Sequence, residues 1–132
     1  MLTNYYSIAA TASLCVTTDL DTYGVISNPM TSELFKNVMH DVVVTANSYG
    51  YDFDVDTELT RQCKRVESIG PGYKPSMQLD ALRNSPMETE VILGNAVRRA
   101  KAKGVSVPYL ETMYALCSTI NLKKQGKIAT GV

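Results

Sequence analysis

The chain has 132 residues, 45% of them apolar, and its 13 basic and 13 acidic side chains leave no net charge. This length fits one domain with one core, and no window approaches the roughly 18 uninterrupted apolar residues of a membrane span. No basic segment precedes the apolar stretch at 7–16, so a signal peptide is not indicated and we expect a cytoplasmic protein.

The first half of the chain predicts helices separated by loops. Residues 4–16 favour a helix, and residues 18–28 a loop. A long helix should follow, because Asn28 can cap its start, Pro29 suits its first turn and Gly50 its exit. Its apolar stripe consists of Leu34, Val38, Val42 and Ala46, widened by Phe35, Met39 and Val43.

The second half continues the pattern. A polar helix should open near Asp56, and loops should span roughly 49–55, 69–75 and 104–108. In "KPSMQLDALRNSPMETE", residues 74–90, Ser76 can cap a short helix. Ser85, Pro86 and Glu88 form a capping box for a longer helix that ends at Gly104. Residues 109–122 predict the last helix.

These elements predict an all-α domain of five to seven helices over residues 1–122, followed by a polar tail at 123–132. Residues 98–132 hold seven basic side chains and one acidic. This segment is better read as a helix C-terminus and a solvated tail than as a nucleic-acid patch, since no aromatic residues interleave with it.

Few residues stand at spacings that are typical of a catalytic, metal or cofactor site. Cys15, Cys63 and Cys117 form no CxxC pair and no zinc spacing with the single histidine, His40. We therefore expect reduced thiols and no metal site. No G-x-G-x-x-G fingerprint occurs, so no cofactor site is indicated in this chain.

The polar residues of segment 74–90 each have a structural explanation. Glu88 can bond back to the Ser85 amide in the capping box, and Ser76 can cap its helix. Asp80 can be solvated or paired with Arg83 or Arg99.

Residues 74–116 resemble the C-terminal domain of the ketopantoate reductase (2-dehydropantoate 2-reductase) family. The matching pattern is Ser76-Met77, Asp80, Met87-Glu88, Gly94 and the exit at 104–108, all without a gap. "YGVISNPMTSEL" gives a weaker match. The resemblance implies a helical domain like the C-terminal domain of 6-phosphogluconate dehydrogenase, which supplies the substrate side of a cleft facing an NADPH-binding Rossmann domain.

The family's roles carry over residue by residue. The family serine, which binds the substrate carboxylate, corresponds to Ser76. The glutamate, which binds the substrate hydroxyl and orients a catalytic lysine, corresponds to Glu88. Asp80 has a supporting role, and Asn4 corresponds to a substrate-binding asparagine. The lysine would then fall just before Met1, and two further family asparagines are replaced by Ile8 and Tyr73.

Two functions remain open at this point. The first is the substrate-binding domain of an NADPH-dependent 2-oxo acid reductase, redox-inactive as this chain and completed by a Rossmann domain or a second copy. The alternative is a free-standing relative without redox activity, acting as a dimerisation or small-molecule-binding module or as a non-redox enzyme. The native mass separates them, because two domains need roughly 300 residues.

Overall fold

The computed structural model describes the backbone of residues 2–131 and the side chains of residues 8–131. Within those limits the chain is helical and contains no strand, which confirms the all-α prediction. The helices are α1 (Leu2–Thr18), α2 (Thr22–Ser27), α3 (Pro29–Asn47), α4 (Val55–Ile69), α5 (Ser76–Leu82), α6 (Asn95–Ala102) and α7 (Pro108–Lys124), and a π-helical turn (Glu90–Gly94) leads directly into α6.

Helix α1 is the centre of the domain. It packs against α2, α3, α5, α7 and the π-helical turn. Its small residues Ala9, Ala10, Ala12 and Ser13 are fully or almost fully buried, so neighbouring helices approach its backbone from several sides. The largest buried side chains from those neighbours include Phe35, Met39, Met77, Leu93, Leu110 and Met113.

The long helix α3 forms as predicted. The Asn28 side chain accepts a hydrogen bond from the Met30 amide at 3.0 Å, and Pro29 occupies the first turn. Gly50, just beyond the end, has φ +97°, a conformation that favours glycine. The predicted apolar stripe of α3 faces the core.

The start of α7 is held from a distance by Asp41 of α3. The Asp41 carboxylate is 3% exposed and accepts hydrogen bonds from the Tyr109 amide at 2.9 Å and the Leu110 amide at 3.1 Å. These are two of the amides that a helix N-terminus leaves without intrahelical partners. Asp41 therefore ties α7 to α3.

The basic end of α6 contacts Tyr49. The Tyr49 hydroxyl donates to the Arg99 carbonyl at 2.9 Å, and the Lys103 ammonium lies 4.8 Å from the centre of the Tyr49 ring. One tyrosine thus satisfies a terminal carbonyl of α6 and contacts a cation beside it.

Three local predictions are wrong. The predicted loop at 18–28 contains α2, which Asp21 caps. Ser76 does not cap α5: it is the first helical residue, and Pro75 occupies the cap position without a side-chain bond. The predicted capping box is absent, because residues 85–88 are not helical and the Ser85 amide donates to the Asp80 carbonyl at 2.9 Å.

No helix within the described residues is both long and apolar enough to cross a membrane.

Candidate functional site

A cleft of about 140 Å³ opens beside α1, between α2, α4 and the loop at 70–75. Its rim is apolar and exposed: Ile8, Ile69 and Tyr73 are 43%, 47% and 50% accessible. The residues that line it are Ile8, Thr11, Thr22, Gln62, Arg65, Val66, Ile69, Tyr73 and Pro75.

Two buried polar residues, Thr22 and Gln62, are among those that line the cleft. Thr22 and Gln62 are each 3% exposed, yet Thr22 Oγ1 and Gln62 Oε1 have no hydrogen-bond partner within the described part of the chain. A buried polar atom without a partner is costly, on the order of 1–3 kcal/mol. Gln78 Oε1 and Ser118 Oγ, on residues outside the cleft lining, are buried in the same way without partners among the described residues, so such atoms do not by themselves mark a binding site.

The 70–75 loop is fixed over this cleft by the start of α2. Asp21 Oδ1 accepts from the Gly24 amide at 2.7 Å and caps α2, while Oδ2 accepts from the Gly72 amide at 2.8 Å. The Thr22 amide donates to the Tyr73 carbonyl at 3.2 Å. Gly72 has φ +104°, which a side chain would strain. Tyr73 is therefore held at the rim by backbone contacts on either side of it.

The electrostatics of Asp21 follow from these bonds. The amides of Gly24 and Gly72 stabilise the ionised carboxylate, so they lower the pKa of Asp21 below its ordinary 3.8. Sequence reasoning missed Asp21, because its second partner is 51 positions away in the chain.

The cleft brings together part of the predicted site. Ile8 and Tyr73, which replace two family asparagines, both line it. Ser76 is exposed and directly follows Pro75, another lining residue. Asn4 belongs to α1, one helical turn before Ile8, but its side chain lies outside the described residues.

Glu88 and Asp80 are not among the residues that line the cleft. Glu88 is exposed in the non-helical segment before the π-helical turn, and its carboxylate has no hydrogen bond or ion pair with the described residues. Asp80 is half-exposed in α5, and its predicted pairing with Arg83 or Arg99 is not found among the ion pairs of residues 8–131. The π-helical turn and α5 both pack on α1.

The π-helical turn behind Glu88 is braced by Glu90. Its carboxylate accepts from the Tyr114 hydroxyl at 2.6 Å and from Arg98 Nη1 at 2.8 Å. Tyr114, and then Arg98, lower the pKa of Glu90. A Cβ at Gly94 would come within 2.5 Å of this carboxylate, so glycine leaves room for it. No spacing rule predicts this cluster, because Glu90 and Arg98 are eight residues apart.

The three cysteines are free thiols that are buried or half-buried. Cys15 and Cys117 are free and buried, and burial raises the pKa of each to about 12. Cys63 is half-buried, and burial raises its pKa as well. Across the described residues no cluster of His, Cys, Asp or Glu has a metal-binding arrangement.

Fold and cleft together define an all-helical domain, built on a central helix that is buried at residues 9–15, with a cleft of about 140 Å³ beside it. The chain belongs to the ketopantoate reductase family: the family model "Ketopantoate reductase PanE/ApbA C terminal" matches residues 1–121. This match confirms the resemblance drawn from residues 74–116.

Individual relatives match most of this chain. An uncharacterized protein of Saccharomyces cerevisiae is 35% identical over 106 residues, which cover 76% of this chain and 28% of the yeast protein. A crystal structure of 2-dehydropantoate 2-reductase from Methylococcus capsulatus is 31% identical, with a TM-score of 0.79 over 93% of this chain and 42% of the enzyme. The chain thus spans less than half the length of either relative.

A D-mandelate dehydrogenase solved with NADH and anilino(oxo)acetate has the same fold. It gives a TM-score of 0.85 at 19% identity, over 94% of this chain and 52% of that one.

Proposed function

We propose that this chain is the substrate-binding C-terminal domain of an NADPH-dependent 2-oxo acid reductase of ketopantoate type. The whole enzyme would convert 2-dehydropantoate and NADPH to pantoate, for pantothenate biosynthesis in the cytoplasm. The task of this chain is to bind and orient the oxo acid.

The cleft beside α1 carries the proposal. The family motif assigns Ile8, Tyr73 and Ser76 to the substrate side of the domain, and these positions are far apart in the sequence. In the fold, Ile8 and Tyr73 line one cleft, and Ser76 follows its lining residue Pro75. Two positions that the family motif assigns to the substrate side therefore line one concave surface, and the third lies next to it.

Each proposed residue has a chemical role. The exposed Ser76 hydroxyl donates a hydrogen bond to the substrate carboxylate, and Asn4 and Asp80 support it. Glu88 contacts the substrate oxygen that becomes a hydroxyl, and it orients the family lysine. The absence of the capping box supports this role, because the Glu88 carboxylate is exposed and no side chain or amide among the described residues engages it.

Under this proposal, the nicotinamide cofactor is held by a Rossmann domain rather than by this helical domain. Dinucleotide sites of the Rossmann type use a glycine-rich turn between a strand and a helix, and residues 2–131 contain no strand. Hydride transfer belongs to the cofactor, and a Rossmann domain outside this chain would bind it. That domain, or a second copy of the chain, would also cover the exposed apolar rim of the cleft.

Ligand titration tests the proposal directly. Ketopantoate or pantoate added to the 132-residue chain should shift the NMR amide resonances of the cleft, including residues of α1 and the 70–75 loop. Ser76→Ala should weaken this binding by about tenfold, the value of one hydrogen bond to a charged group. Ser85→Ala is the matched control, since Ser85 lies outside the cleft lining.

Two results would contradict the proposal. One is that neither acid shifts the cleft resonances at millimolar concentration. The other is a native protein with the mass of the 132-residue chain alone, which would favour the free-standing, non-redox alternative. A native mass of roughly 300 residues would support the reductase.

A further inference from the structure

Glu88, to which the proposed function gives a catalytic role, lies in a segment without regular structure. Residues 85–88 belong to no helix, and the Glu88 carboxylate is exposed and forms no ion pair with the described residues. The position of this carboxylate therefore depends on what fixes the backbone around it. Our inference about that backbone rests on the proposed function, since it assumes that Glu88 contacts the substrate oxygen.

The two neighbours of Glu88 are anchored in the domain. Met87 is 7% exposed and belongs to the hydrophobic core, and Thr89 is 3% exposed. The Glu88 carbonyl accepts a hydrogen bond from the Ile92 amide of the π-helical turn at 3.0 Å. Because close-packed side chains resist displacement, the backbone of Glu88 cannot turn without moving Met87 or Thr89. The direction in which the Glu88 side chain leaves the backbone is therefore fixed by its neighbours.

The C-terminal end of α7 holds this segment through hydrogen bonds. Asn121 Oδ1 accepts from the Met87 amide at 2.9 Å, and Gln125 Nε2 donates to the Asn84 carbonyl at 2.8 Å. A backbone amide outside a helix or sheet needs an acceptor from elsewhere in the fold, and Asn121 provides it for Met87 from 34 positions away.

We infer that Asn121 is a positioning residue for the proposed reaction. By accepting the Met87 amide hydrogen, it holds the residue that immediately precedes Glu88, and so it sets the point from which the carboxylate reaches the substrate. Asn121 acts through this backbone contact and does not itself touch the substrate. Such positioning matters, because a misplacement of about 1 Å can cost about 10²-fold in rate.

Steady-state kinetics of the full-length reductase tests this role. Asn121→Ala removes the acceptor, and we expect kcat to fall about tenfold with little change in KM, because the weakened interaction acts in the transition state. The variant should fold, since alanine has the highest helix propensity and one hydrogen bond is lost. Asn121→Asp keeps an acceptor oxygen on the same side chain, so it should recover most of the lost kcat.

A double-mutant cycle with Glu88→Gln separates positioning from a general loss of stability. If Asn121 acts through Glu88, then Asn121→Ala should lower kcat about tenfold in the unmodified enzyme and hardly at all in the Glu88→Gln background, where the positioned carboxylate is already gone. A variant that merely loosened the fold would lower kcat by the same factor in both backgrounds.

Thr119→Ala is the matched control on the same helix. Thr119 is exposed, and its hydroxyl donates to the Ala115 carbonyl within α7 at 2.8 Å. This variant removes one hydrogen bond without touching residues 84–88, so it should keep kcat. In the 132-residue chain, amide hydrogen exchange followed by NMR should become faster at Met87 in Asn121→Ala and stay unchanged there in Thr119→Ala.

Each contrary result has a distinct meaning. If Asn121→Ala keeps full kcat while Glu88→Gln loses it, then the inference is wrong and the proposed function stands. Equal losses of kcat in both backgrounds, an Asn121→Asp variant as slow as Asn121→Ala, or unchanged exchange at Met87 would also overturn the inference alone. If Glu88→Gln itself keeps full kcat, then the role that the proposed function gives to Glu88 fails, and the inference fails with it.

Discussion

Asp41 and two cleft-lining residues, Thr22 and Gln62, are equally buried but differ in their hydrogen-bond partners. Asp41, Thr22 and Gln62 are each 3% exposed. The Asp41 carboxylate accepts two amide hydrogen bonds at the start of α7. The polar atoms Thr22 Oγ1 and Gln62 Oε1 accept none from the described residues.

This difference separates buried polar groups that join two helices from buried polar groups that do not. A buried polar group with partners fixes one helix to another, as Asp41 fixes α7 to α3. A buried polar group without partners weakens the fold unless a ligand or water completes it. Burial alone therefore does not separate the two kinds of polar group in this domain, whereas the presence or absence of a partner does.

The largest expected effect is on catalysis, and it compares two exposed glutamates, one without partners and one with them. Glu88 has no partner among the described residues, and Glu90, two positions later, has Tyr114 and Arg98. In the full-length reductase, Glu88→Gln should lower kcat by about 10²-fold or more, roughly 2.7 kcal/mol, because a group acting in the transition state is lost. Steady-state kinetics on the full-length enzyme measures this.

The control for that prediction is Glu90→Gln. It removes an exposed ion pair worth about 0.2–1 kcal/mol and should leave kcat nearly unchanged. Glu88→Gln should not lower the melting temperature, since it breaks no bond. Equal, small losses of activity in both variants would show that Glu88 has no catalytic role.

The regular parts of the fold were predictable because their signals are local. Asn28, Pro29 and Gly50 lie within or beside α3, and the apolar stripe of that helix repeats every three to four residues. Helix α2 was missed because it is only six residues long. Its N-cap residue, Asp21, also accepts a hydrogen bond from Gly72 in a distant loop. Short helices with a glycine inside carry little periodic signal.

The capping box shows how a local pattern can be overridden. Ser85, Pro86 and Glu88 have the expected spacing, but the Ser85 amide bonds the Asp80 carbonyl, and the Met87 amide donates to Asn121 of α7 at 2.9 Å. Contacts from outside the segment thus replace the predicted helix start. The same limit applies to the cleft, since no spacing rule relates Thr22 to Gln62.

Asp41→Ala should cause the largest loss of folding stability among the changes considered. The substitution leaves the amides of Tyr109 and Leu110 without their acceptor, and Leu110 is fully buried. We expect a loss of about 2–3 kcal/mol, the range for hydrogen bonds to a charged group plus unpaired amides. Urea unfolding followed by circular dichroism measures it. The control is Asp52→Ala, since Asp52 is exposed. If Asp41→Ala lowers the free energy of unfolding by less than about 0.5 kcal/mol, then Asp41 does not hold α7 on α3.

Asp21→Asn should cost less, and its effect should depend on pH. The folded pKa of Asp21 lies below 3.8, so the ionised carboxylate stabilises the fold above that pH. This contribution is lost as the pH falls through the folded pKa, when Asp21 takes up a proton. The loss of stability in Asp21→Asn should be about 1 kcal/mol near neutral pH and should shrink in acid.

Unfolding of both proteins across the acid range tests this dependence. The same variant should loosen Tyr73, so ligand binding at the cleft should weaken in step with stability. A stability difference between Asp21→Asn and the unmodified chain that stays constant into acid would contradict the ionised, doubly bonded state of Asp21.

The smallest expected effect has the opposite sign. Gln62→Leu removes a buried, unpartnered oxygen of a cleft-lining residue and replaces it with an apolar group of similar size. Without ligand, the variant should therefore be more stable by about 0.5 kcal/mol.

Gln78 provides a matched comparison for Gln62. Gln78 is 1% exposed and also has an unpartnered Oε1, but its Nε2 donates to the Leu20 carbonyl at 3.0 Å. Gln78→Leu breaks that bond and leaves the carbonyl unpaired, so it should lower stability by about 1 kcal/mol. Melting temperatures of the two variants, measured without ligand, should therefore move in opposite directions from that of the unmodified chain. If both fall, then the side chain of Gln62 stabilises the fold despite its unpaired oxygen.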